Sequence, residues 1–254
     1  MSWGVIIRTR SEKKSGIWDG LDIPLPRSSS RQMMQKALIL GASGGIGGAV
    51  AAQLARQGWS VDGLSRKADG FDVTDPQAVA SQLERLQGTY DLVFIATGQL
   101  HGAGHPPEKS LRALSAEAMA DQFVVNAIGP ALVMRHAQRL LPRDRRAVLA
   151  VLSARVGSIT DNRLGGWYSY RMAKAALNQA LRTSSVEIAR THPKAICVAL
   201  HPGTVQTEFT KDYTARHSTV KPAQAARNLI NVIEGLTPGN TGQFFDWAGK
   251  PVPW

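Results

Sequence analysis

The stretch Ala37-Leu38-Ile39-Leu40-Gly41-Ala42-Ser43-Gly44-Gly45-Ile46-Gly47 joins an apolar segment directly to a glycine-rich turn. The apolar run predicts a strand that is buried on both faces of a sheet. Closely spaced glycines permit a tight turn and let the backbone come close to a ligand. The pattern then continues as a helix to about Gln57, and a helix N-terminus after such a turn favours the phosphates of a nucleotide. We therefore predict that a nucleotide-binding α/β domain begins here.

Strand and helix patterns alternate from Lys36 onward, which is typical of a parallel sheet with helices on both faces. After the first helix, further helices are predicted after Asp75-Pro76, from about Ser115 to Leu141, around Tyr170, and from Pro222 to about Gly235. We predict a Rossmann-type, doubly wound and mostly parallel sheet of seven strands. These are Ala37–Leu40, Ser60–Leu64, a short segment before Phe71, Leu92–Ala96, Ala147–Leu152, Ala195–Leu200 and Gly242–Asp246.

The length and composition indicate one large globular domain behind a different N-terminal segment. The chain has 254 residues, 43% of them hydrophobic, and no apolar run approaches the ~20 residues of a membrane helix. Residues 1–35 show neither a sustained period nor a leader pattern, so we predict a mobile extension there and one dinucleotide-binding domain over 36–254. The single cysteine, Cys197, excludes an internal disulfide and a cysteine-based metal site, and a cytoplasmic location is expected.

The formal charge of +11 indicates a surface that attracts anions. The basic residues are scattered, with short clusters only at Lys13-Lys14 and at 143–146. No nucleic-acid motif accompanies them. We therefore expect neither nucleic acid nor a membrane as partner, and the anion that we expect is a phosphorylated cofactor.

Tyr170 and Lys174 are four residues apart in a predicted helix, and this spacing places both side chains on one face. A free phenol titrates near pH ~10, and a cation within ~4–6 Å lowers its pKa. The pair can therefore act as an acid/base centre. Tyr168 fits less well, because six residues separate it from the lysine and turn it to another side of the helix. A solvated helix face is the alternative explanation of the pair.

The end of the second strand bears on the choice of cofactor. Dinucleotide folds commonly place an acid there for the ribose of NAD, or an arginine for the 2′-phosphate of NADP. This strand ends in Ser65-Arg66-Lys67. NADP(H) is therefore favoured and NAD(H) is the alternative, whereas two ordinary surface cations would explain the same residues without a ligand.

Taken together, these features resemble the short-chain dehydrogenase/reductase family over essentially all of residues 36 to 254. Within that family the chain looks like the branch of C-factor-like proteins and single-domain carbonyl reductases. The motifs that carry this resemblance are Gly157-Ser158-Ile159, Gly165-Gly166-Trp167-Tyr168-Ser169-Tyr170-Arg171, Ala175-Ala176-Leu177-Asn178 and Phe245-Asp246-Trp247-Ala248-Gly249-Lys250.

The resemblance implies a catalytic set and a cofactor site. Tyr170 would be the general acid/base, Lys174 its electrostatic partner and a ribose ligand, and Asn126 would hold a water that links the lysine to solvent. Ala96-Thr97-Gly98 stands where the family usually has Asn-Ala-Gly, so a threonine is present and the usual asparagine is not. The other implied cofactor contacts are Gly41, Ser43, Gly45, Ile46 and Gly47 for the pyrophosphate, Ser65 and Arg66 for the adenosine ribose, Asp72 and Val73 for the adenine, and Pro202, Gly203, Val205 and Thr207 for the nicotinamide carboxamide.

The serine that usually donates to the substrate carbonyl is displaced in this chain. In the family it lies three residues before a glycine, and counting back from Gly157 reaches Ala154. Three explanations are open. Ser153 serves through a shift of one residue, another hydroxyl such as Ser158 serves, or the carbonyl lacks that donor.

The leading hypothesis is an NADPH-dependent reductase of an aldehyde or ketone, or the reverse alcohol dehydrogenase, with Tyr170 protonating the carbonyl oxygen. A sensor or signalling protein that binds NADP(H) with little turnover is the alternative. The displaced serine favours the sensor, whereas Tyr170, Lys174 and Asn126 favour the enzyme. Substrate choice is expected in the passage from Glu208 to Thr219, and the resemblance further implies a homodimer or homotetramer.

Overall fold

The computed structural model describes residues 34–101, 104–210 and 218–254. The predicted extension therefore lies outside the described residues except for Met34 and Gln35. The part of the predicted substrate passage at 211–217 lies outside them too. Met34–Trp254 belongs to one compact unit.

Six strands and seven α-helices alternate along the described chain. The strands are β1 (Lys36–Leu40), β2 (Ser60–Leu64), β3 (Leu92–Ile95), β4 (Ala147–Leu152), β5 (Ala195–His201) and β6 (Gln243–Asp246). The helices are α1 (Gly45–Arg56), α2 (Arg66–Asp69), α3 (Pro76–Arg85), α4 (Ala116–Phe123), α5 (Gly129–Ala137), α6 (Tyr168–Thr191) and α7 (Pro222–Gly235).

The strands form one parallel sheet in the order β2-β1-β3-β4-β5-β6. The strand order reverses between β1 and β3, and doubly wound sheets bind ligands at such a point, beyond the carboxyl ends of the strands. The register aligns these ends, since Leu40 of β1 pairs with Leu64 of β2 and Ile95 of β3. The glycine-rich turn after β1 therefore opens onto the reversal.

Helices cover both faces of the sheet, as the apolar strand sequences predict. Leu38 and Leu40 pack in one core cluster with side chains of α3, α5 and α6. Ala37 and Ile39 pack in a second cluster with side chains of α1 and α7. Successive residues of a strand point to opposite faces, so a central strand that is buried on both sides must be apolar throughout.

The predicted third strand, before Phe71, is wrong, and the sheet has six strands in place of seven. The short helix α2 occupies this part of the chain. The Ser65 hydroxyl accepts from the Ala68 backbone N–H at 3.3 Å and caps the helix, and Gly70 ends it in the left-handed region with φ 67°. Because these local bonds satisfy the backbone, residues 66–69 turn and do not extend along the edge of β2.

The helical run predicted from Ser115 to Leu141 is continuous but not uniformly α-helical. A π-helical segment, Val124–Ile128, joins α4 to α5, and a short 3₁₀ turn, Gln138–Leu140, ends the run. π-Helical turns are rare and are frequently found at functional sites. Asn126 is at the centre of this one.

Among the described residues, no helix has both the length and the apolar character required to cross a bilayer.

Candidate active site

The glycine-rich turn forms a cradle in which there is no room for side chains. Gly41 has φ 91°, and a Cβ built on it would lie 3.0 Å from the Ala96 carbonyl group. A Cβ on Gly47 would collide with the Gly41 carbonyl oxygen, and one on Gly45 would collide with the Thr207 side chain. The cradle therefore brings together Gly41 after β1, Gly47 in the first turn of α1, Ala96 after β3 and Thr207 after β5.

No side chain caps the N-terminus of α1, where Gly44 is the N-cap residue. Because α1 follows β1 after a short turn, its first-turn N–H groups, which include that of Ile46, lie at the carboxyl edge of the sheet, and Ser43 precedes them in the turn. The first four N–H groups of a helix have no partner within the helix, and their partial positive charge favours an anion. This arrangement suits a pyrophosphate.

The tip of β2 presents two exposed cations, Arg66 and Lys67, and one buried hydroxyl. Arg66 is exposed, and none of the ion pairs between described residues includes it. Ser65 is buried, and its backbone N–H and hydroxyl both donate to Asp69. Ser65 therefore shapes the turn that carries Arg66, and its hydroxyl already has partners.

Asp72 and Val73 lie on the same side of the site. Both the N–H and the hydroxyl of Thr74 donate to the Asp72 carboxylate, at 2.9 and 2.7 Å, and these bonds hold the pKa of Asp72 below its usual value. Val73 packs so closely against the start of α5 that a Cβ on Gly129 would lie 2.6 Å from the Val73 carbonyl oxygen.

Gly98, Asn126 and Lys174 meet at the centre of the site. A Cβ built on Gly98 would lie 2.9 Å from Asn126 Oδ1 and 3.6 Å from Lys174 Nζ. The ammonium of Lys174 also donates to the Leu152 carbonyl at 3.0 Å. Three separate parts of the chain, the loop after β3, the π segment and α6, therefore place these residues together.

Tyr170 lies beside the lysine on α6, with the Lys174 Nζ atom 5.8 Å from the centre of the phenol ring. Tyr170 is 6% exposed and Lys174 is 3% exposed. Burial disfavours the charged form of each group. It raises the pKa of Tyr170 and lowers the pKa of Lys174 to about 7. In the protein by itself the phenol is therefore protonated at neutral pH, so burial outweighs the acidifying effect that the sequence predicts for Lys174.

Asn126 binds the loop after β3 through its side-chain amide. Its Oδ1 accepts from the Gln99 N–H at 3.1 Å, and its Nδ2 donates to the Gln99 carbonyl at 2.8 Å and to Gln122 Oε1 at 2.6 Å. Gln122 in turn donates to the Leu100 carbonyl. The π segment thus holds the loop in place, a role that the sequence did not indicate.

The serines next to β4 already have hydrogen-bond partners. Ser153 donates to Asn178 Oδ1 at 2.6 Å, and Ser158 accepts from the Asp161 N–H at 3.1 Å. Ala154 occupies the counted position and has no side-chain donor. Among the described residues, no hydrogen bond joins Ser153 or Ser158 to Tyr170.

The loop after β5 closes the other end of the site. Gly203 has φ 78°, and a Cβ there would lie 3.1 Å from the Trp247 ring. Val205 is buried and forms an isolated bridge to Val220. Pro202 and Gly203 are therefore fixed next to β6, while Thr207 reaches Gly45.

Two buried polar atoms at this edge lack a partner. Of the buried side-chain nitrogen and oxygen atoms in the described part of the chain, only Thr97 Oγ1 and His201 Nδ1 make no hydrogen bond. Each buried polar atom without a hydrogen bond lowers the free energy of unfolding by about 1–3 kcal/mol. Thr97 follows β3 and His201 ends β5, so both orphaned atoms lie at the edge where a dinucleotide would bind. With the glycine cradle, this observation fits a polar cofactor there.

His201 was not among the predicted site residues, although its place between an apolar strand and Pro202-Gly203 could have indicated it. Burial and the charge of Arg155 lower its pKa to about 4, against an opposing effect of Asp246. The imidazole is therefore neutral at physiological pH.

The substrate side of the site is lined by aromatic rings and a buried acid. The rings of Trp167 and Phe209 each have their centres 6.3 Å from that of Tyr170. Glu108, which was also missed, is 6% exposed and lines a small cavity together with Tyr170 and Gln122. Within the described ranges, no group of three or more His, Cys, Asp or Glu residues could hold a metal ion.

Comparison with known proteins places this geometry in a family. A sequence family described as enoyl-(acyl carrier protein) reductase matches residues 62–234. A protein of Rhodococcus sp. (strain AD45), 1-hydroxy-2-glutathionyl-2-methyl-3-butene dehydrogenase, is 32% identical over 87% of this chain and 100% of its own length. C-signal of Myxococcus xanthus is 40% identical over 54% of this chain and 78% of its own length.

A solved structure agrees with these sequence relatives. A protein from Burkholderia multivorans, described as a short-chain dehydrogenase/reductase with bound NADP, has a TM-score of 0.74 and 26% identity, covering 87% of this chain and 100% of its own. The family match spans more than half of the chain, and the Rhodococcus relative is matched over its whole length. The chain therefore belongs to the short-chain dehydrogenase/reductase family of oxidoreductases.

Proposed function

We propose that this protein is an NADP(H)-dependent oxidoreductase that reduces an aldehyde or ketone, or oxidises the corresponding alcohol, with Tyr170 as the general acid/base. The observation that carries the proposal is the convergence of Tyr170, Lys174, Asn126 and Gly98 at the carboxyl edge of the sheet, next to the glycine cradle. The bound dinucleotide would supply or accept the hydride.

The chain's own residues support a division of roles. The buried, protonated phenol of Tyr170 is in the state needed to donate a proton to a carbonyl oxygen. Lys174, held at the Leu152 carbonyl, would stabilise the phenolate that remains and would bind the ribose. Because burial lowers its pKa to about 7, this lysine would gain its proton most readily when a negative charge develops beside it.

The preference for NADP(H) rests on the tip of β2. Arg66 is exposed and its guanidinium forms no ion pair with a described residue. Asp62, the acid of that strand, instead pairs with Lys36 at 3.0 Å and accepts from the Tyr90 hydroxyl at 2.6 Å. Arg66 is therefore available to bind a 2′-phosphate. The carboxylate of Asp62 already has partners and is not available to a ribose diol. The NADP in the Burkholderia multivorans structure agrees with this preference.

The substrate would be a small carbonyl or alcohol that fits between aromatic rings. The name of the Rhodococcus relative adds one concrete compound class, an alcohol that carries a glutathionyl group. We expect a homodimer or homotetramer and a cytoplasmic location, as the family resemblance and the composition suggest.

A second candidate, an NADP(H)-binding sensor with little turnover, is favoured by one observation. Ala154 lacks the usual donor, and the Ser153 hydroxyl donates to Asn178. Removing one such donor from other enzymes lowers kcat by about 10²–10³-fold, so turnover would be slow if no other group replaces it.

The experiment that separates these candidates measures NADPH oxidation with aldehydes, ketones and diketones, and NADP⁺ reduction with a glutathionyl alcohol. Wild type is compared with Tyr170→Phe, and Tyr168→Phe is the matched control two residues away. The enzyme should lose about 10²–10⁴-fold in kcat/KM in Tyr170→Phe and little in Tyr168→Phe. Tight NADPH binding without turnover of any compound would favour the sensor.

A further inference from the structure

The helix that carries Tyr170 begins without a cap of its own. Trp167 is the N-cap residue of α6, has φ 53° and ψ 42°, and provides no side-chain cap, and the first turn contains no acid. A helix leaves its first four N–H groups without intrahelical partners. In a site where one hydroxyl must be placed accurately, the first turn of α6 therefore needs partners from elsewhere in the chain.

Glu108, about 60 residues earlier, provides them. The Ser169 N–H donates to Glu108 Oε2 at 3.2 Å, and the Ser169 hydroxyl donates to Oε1. The Glu108 backbone carbonyl accepts from the Trp167 N–H at 2.5 Å. One residue of the loop after β3 thus binds the start of α6 through three hydrogen bonds.

Among the described residues, no ion pair explains the burial of the Glu108 carboxylate. A buried carboxylate is costly unless it is hydrogen-bonded. The positive end of the α6 dipole compensates for its charge as well. The interaction with α6 therefore accounts for this acid.

The position of Glu108 links it to the reacting group. Ser169 directly precedes Tyr170, and Glu108 and Tyr170 line the same small cavity, together with Leu100 and Gln122. Gln122 donates to the Leu100 carbonyl. The loop after β3 is therefore attached to α4 through Gln122 and to α6, the helix of Tyr170, through Glu108.

We propose that Glu108 is a positioning residue for Tyr170, whose carboxylate fixes the first turn of α6 and so places the phenol hydroxyl against the substrate carbonyl. This inference rests on the proposed function, in which Tyr170 transfers the proton. A misplacement of about 1 Å at a reacting group can lower the rate by about 10²-fold. A cap that only stabilised the helix would leave proton transfer unchanged.

The test uses Glu108→Gln, which keeps the size of the side chain and removes the charge and one acceptor. Glu117→Gln is the matched control, because Glu117 is an exposed acid in the first turn of α4. We expect kcat to fall by about 10- to 100-fold in Glu108→Gln, while the NADPH dissociation constant stays within about twofold, and we expect the solvent deuterium isotope effect on kcat to rise. The control should retain wild-type values.

A lower kcat that follows the folded fraction, with an unchanged isotope effect, would show a structural role alone and overturn the proposal. Ser169→Ala removes one bond to Glu108 and leaves the carboxylate in place, so it serves if Glu108→Gln does not fold. It should raise the isotope effect in the same direction. An unchanged isotope effect in both variants would also overturn the proposal.

Hydrogen exchange separates this inference from the proposed function. Loss of the carboxylate should speed exchange of the Ser169 and Tyr170 amides by roughly 10- to 100-fold whether or not the protein turns over a carbonyl. Unchanged exchange would refute the anchoring by Glu108. Faster exchange in a protein whose wild type oxidises no NADPH would instead contradict the reductase and leave the anchor standing.

Discussion

Lys174 allows a prediction about stability that needs no substrate. The residue is 3% exposed, and burial lowers its pKa from 10.5 to about 7. Below pH 7 both the folded and the unfolded protein carry the proton, so the cost of burying the charge is fully present. Between pH 7 and 10.5 only the unfolded state keeps the proton, so this cost falls and the free energy of unfolding rises with pH. Above pH 10.5 both states are neutral and the cost disappears.

The magnitude follows from the two pKa values. At about 1.4 kcal/mol for each pH unit, the cost is about 4 kcal/mol at pH 7 and about 2 kcal/mol at pH 9. Replacing Lys174 by methionine removes the titrating group and keeps much of the apolar stem. Lys174→Met should therefore be more stable than wild type at pH 7, and the difference should shrink by about 2 kcal/mol at pH 9.

Urea unfolding without cofactor at pH 6, 7, 8 and 9 measures this difference. Lys221→Met is the control, because Lys221 is exposed at the start of α7 and its substitution should leave the pH dependence of wild type unchanged. Subtracting the variant curve from the wild-type curve removes the contribution of all other titrating groups. If the two curves run parallel from pH 7 to 9, the reasoning about the buried lysine is refuted.

Three further predictions concern other parts of the site. Gly47→Ala should weaken NADPH binding at least tenfold by calorimetry, because its Cβ would collide with the Gly41 carbonyl oxygen and overpacking costs about 1–3 kcal/mol. Arg66→Glu should move the ratio of kcat/KM for NADPH over NADH by at least about tenfold toward NADH, since the cation expected to meet the 2′-phosphate becomes an acid. Asn126→Ala should lower the free energy of unfolding by about 2 kcal/mol or more, because the part-buried Gln99 N–H and carbonyl and the buried Gln122 Oε1 lose their partner.

Each of these has an outcome that contradicts it. Unaltered NADPH affinity in Gly47→Ala would remove the cradle from the cofactor site. An unchanged cofactor ratio in Arg66→Glu would make that arginine an ordinary surface cation. Wild-type stability in Asn126→Ala would mean that the loop after β3 is held by other contacts.

The local sequence pattern predicted the six strands of the sheet and the placement of Tyr170 and Lys174 on one face of α6. The apolar run Ala37–Leu40 predicts a buried strand because a glycine turn and a helix follow it. Four-residue spacing in a helix places Tyr170 and Lys174 on a common face. The prediction of an extra strand before Phe71 was wrong. The Ser65 cap and the left-handed Gly70 stabilise a short helix there, and few other contacts would support an edge strand.

The features that the sequence did not indicate depend on residues far apart in the chain. The bond between Glu108 and Ser169 spans 61 positions, and no periodicity reports such a pairing. The π segment at Val124–Ile128 has the same apolar character as an α-helix, so its extra residue per turn is invisible in the pattern. The orphaned Nδ1 of His201 follows from packing at the end of β5, which only the folded chain defines.

The most direct test of the central proposal is the ratio of kcat/KM for NADPH-dependent carbonyl reduction between wild type and Tyr170→Phe, with NADPH affinity measured on both. The proposal predicts a fall of about 10²-fold or more in Tyr170→Phe, with NADPH bound as tightly as before. Equal rates in the two proteins would contradict the role of Tyr170 as the acid.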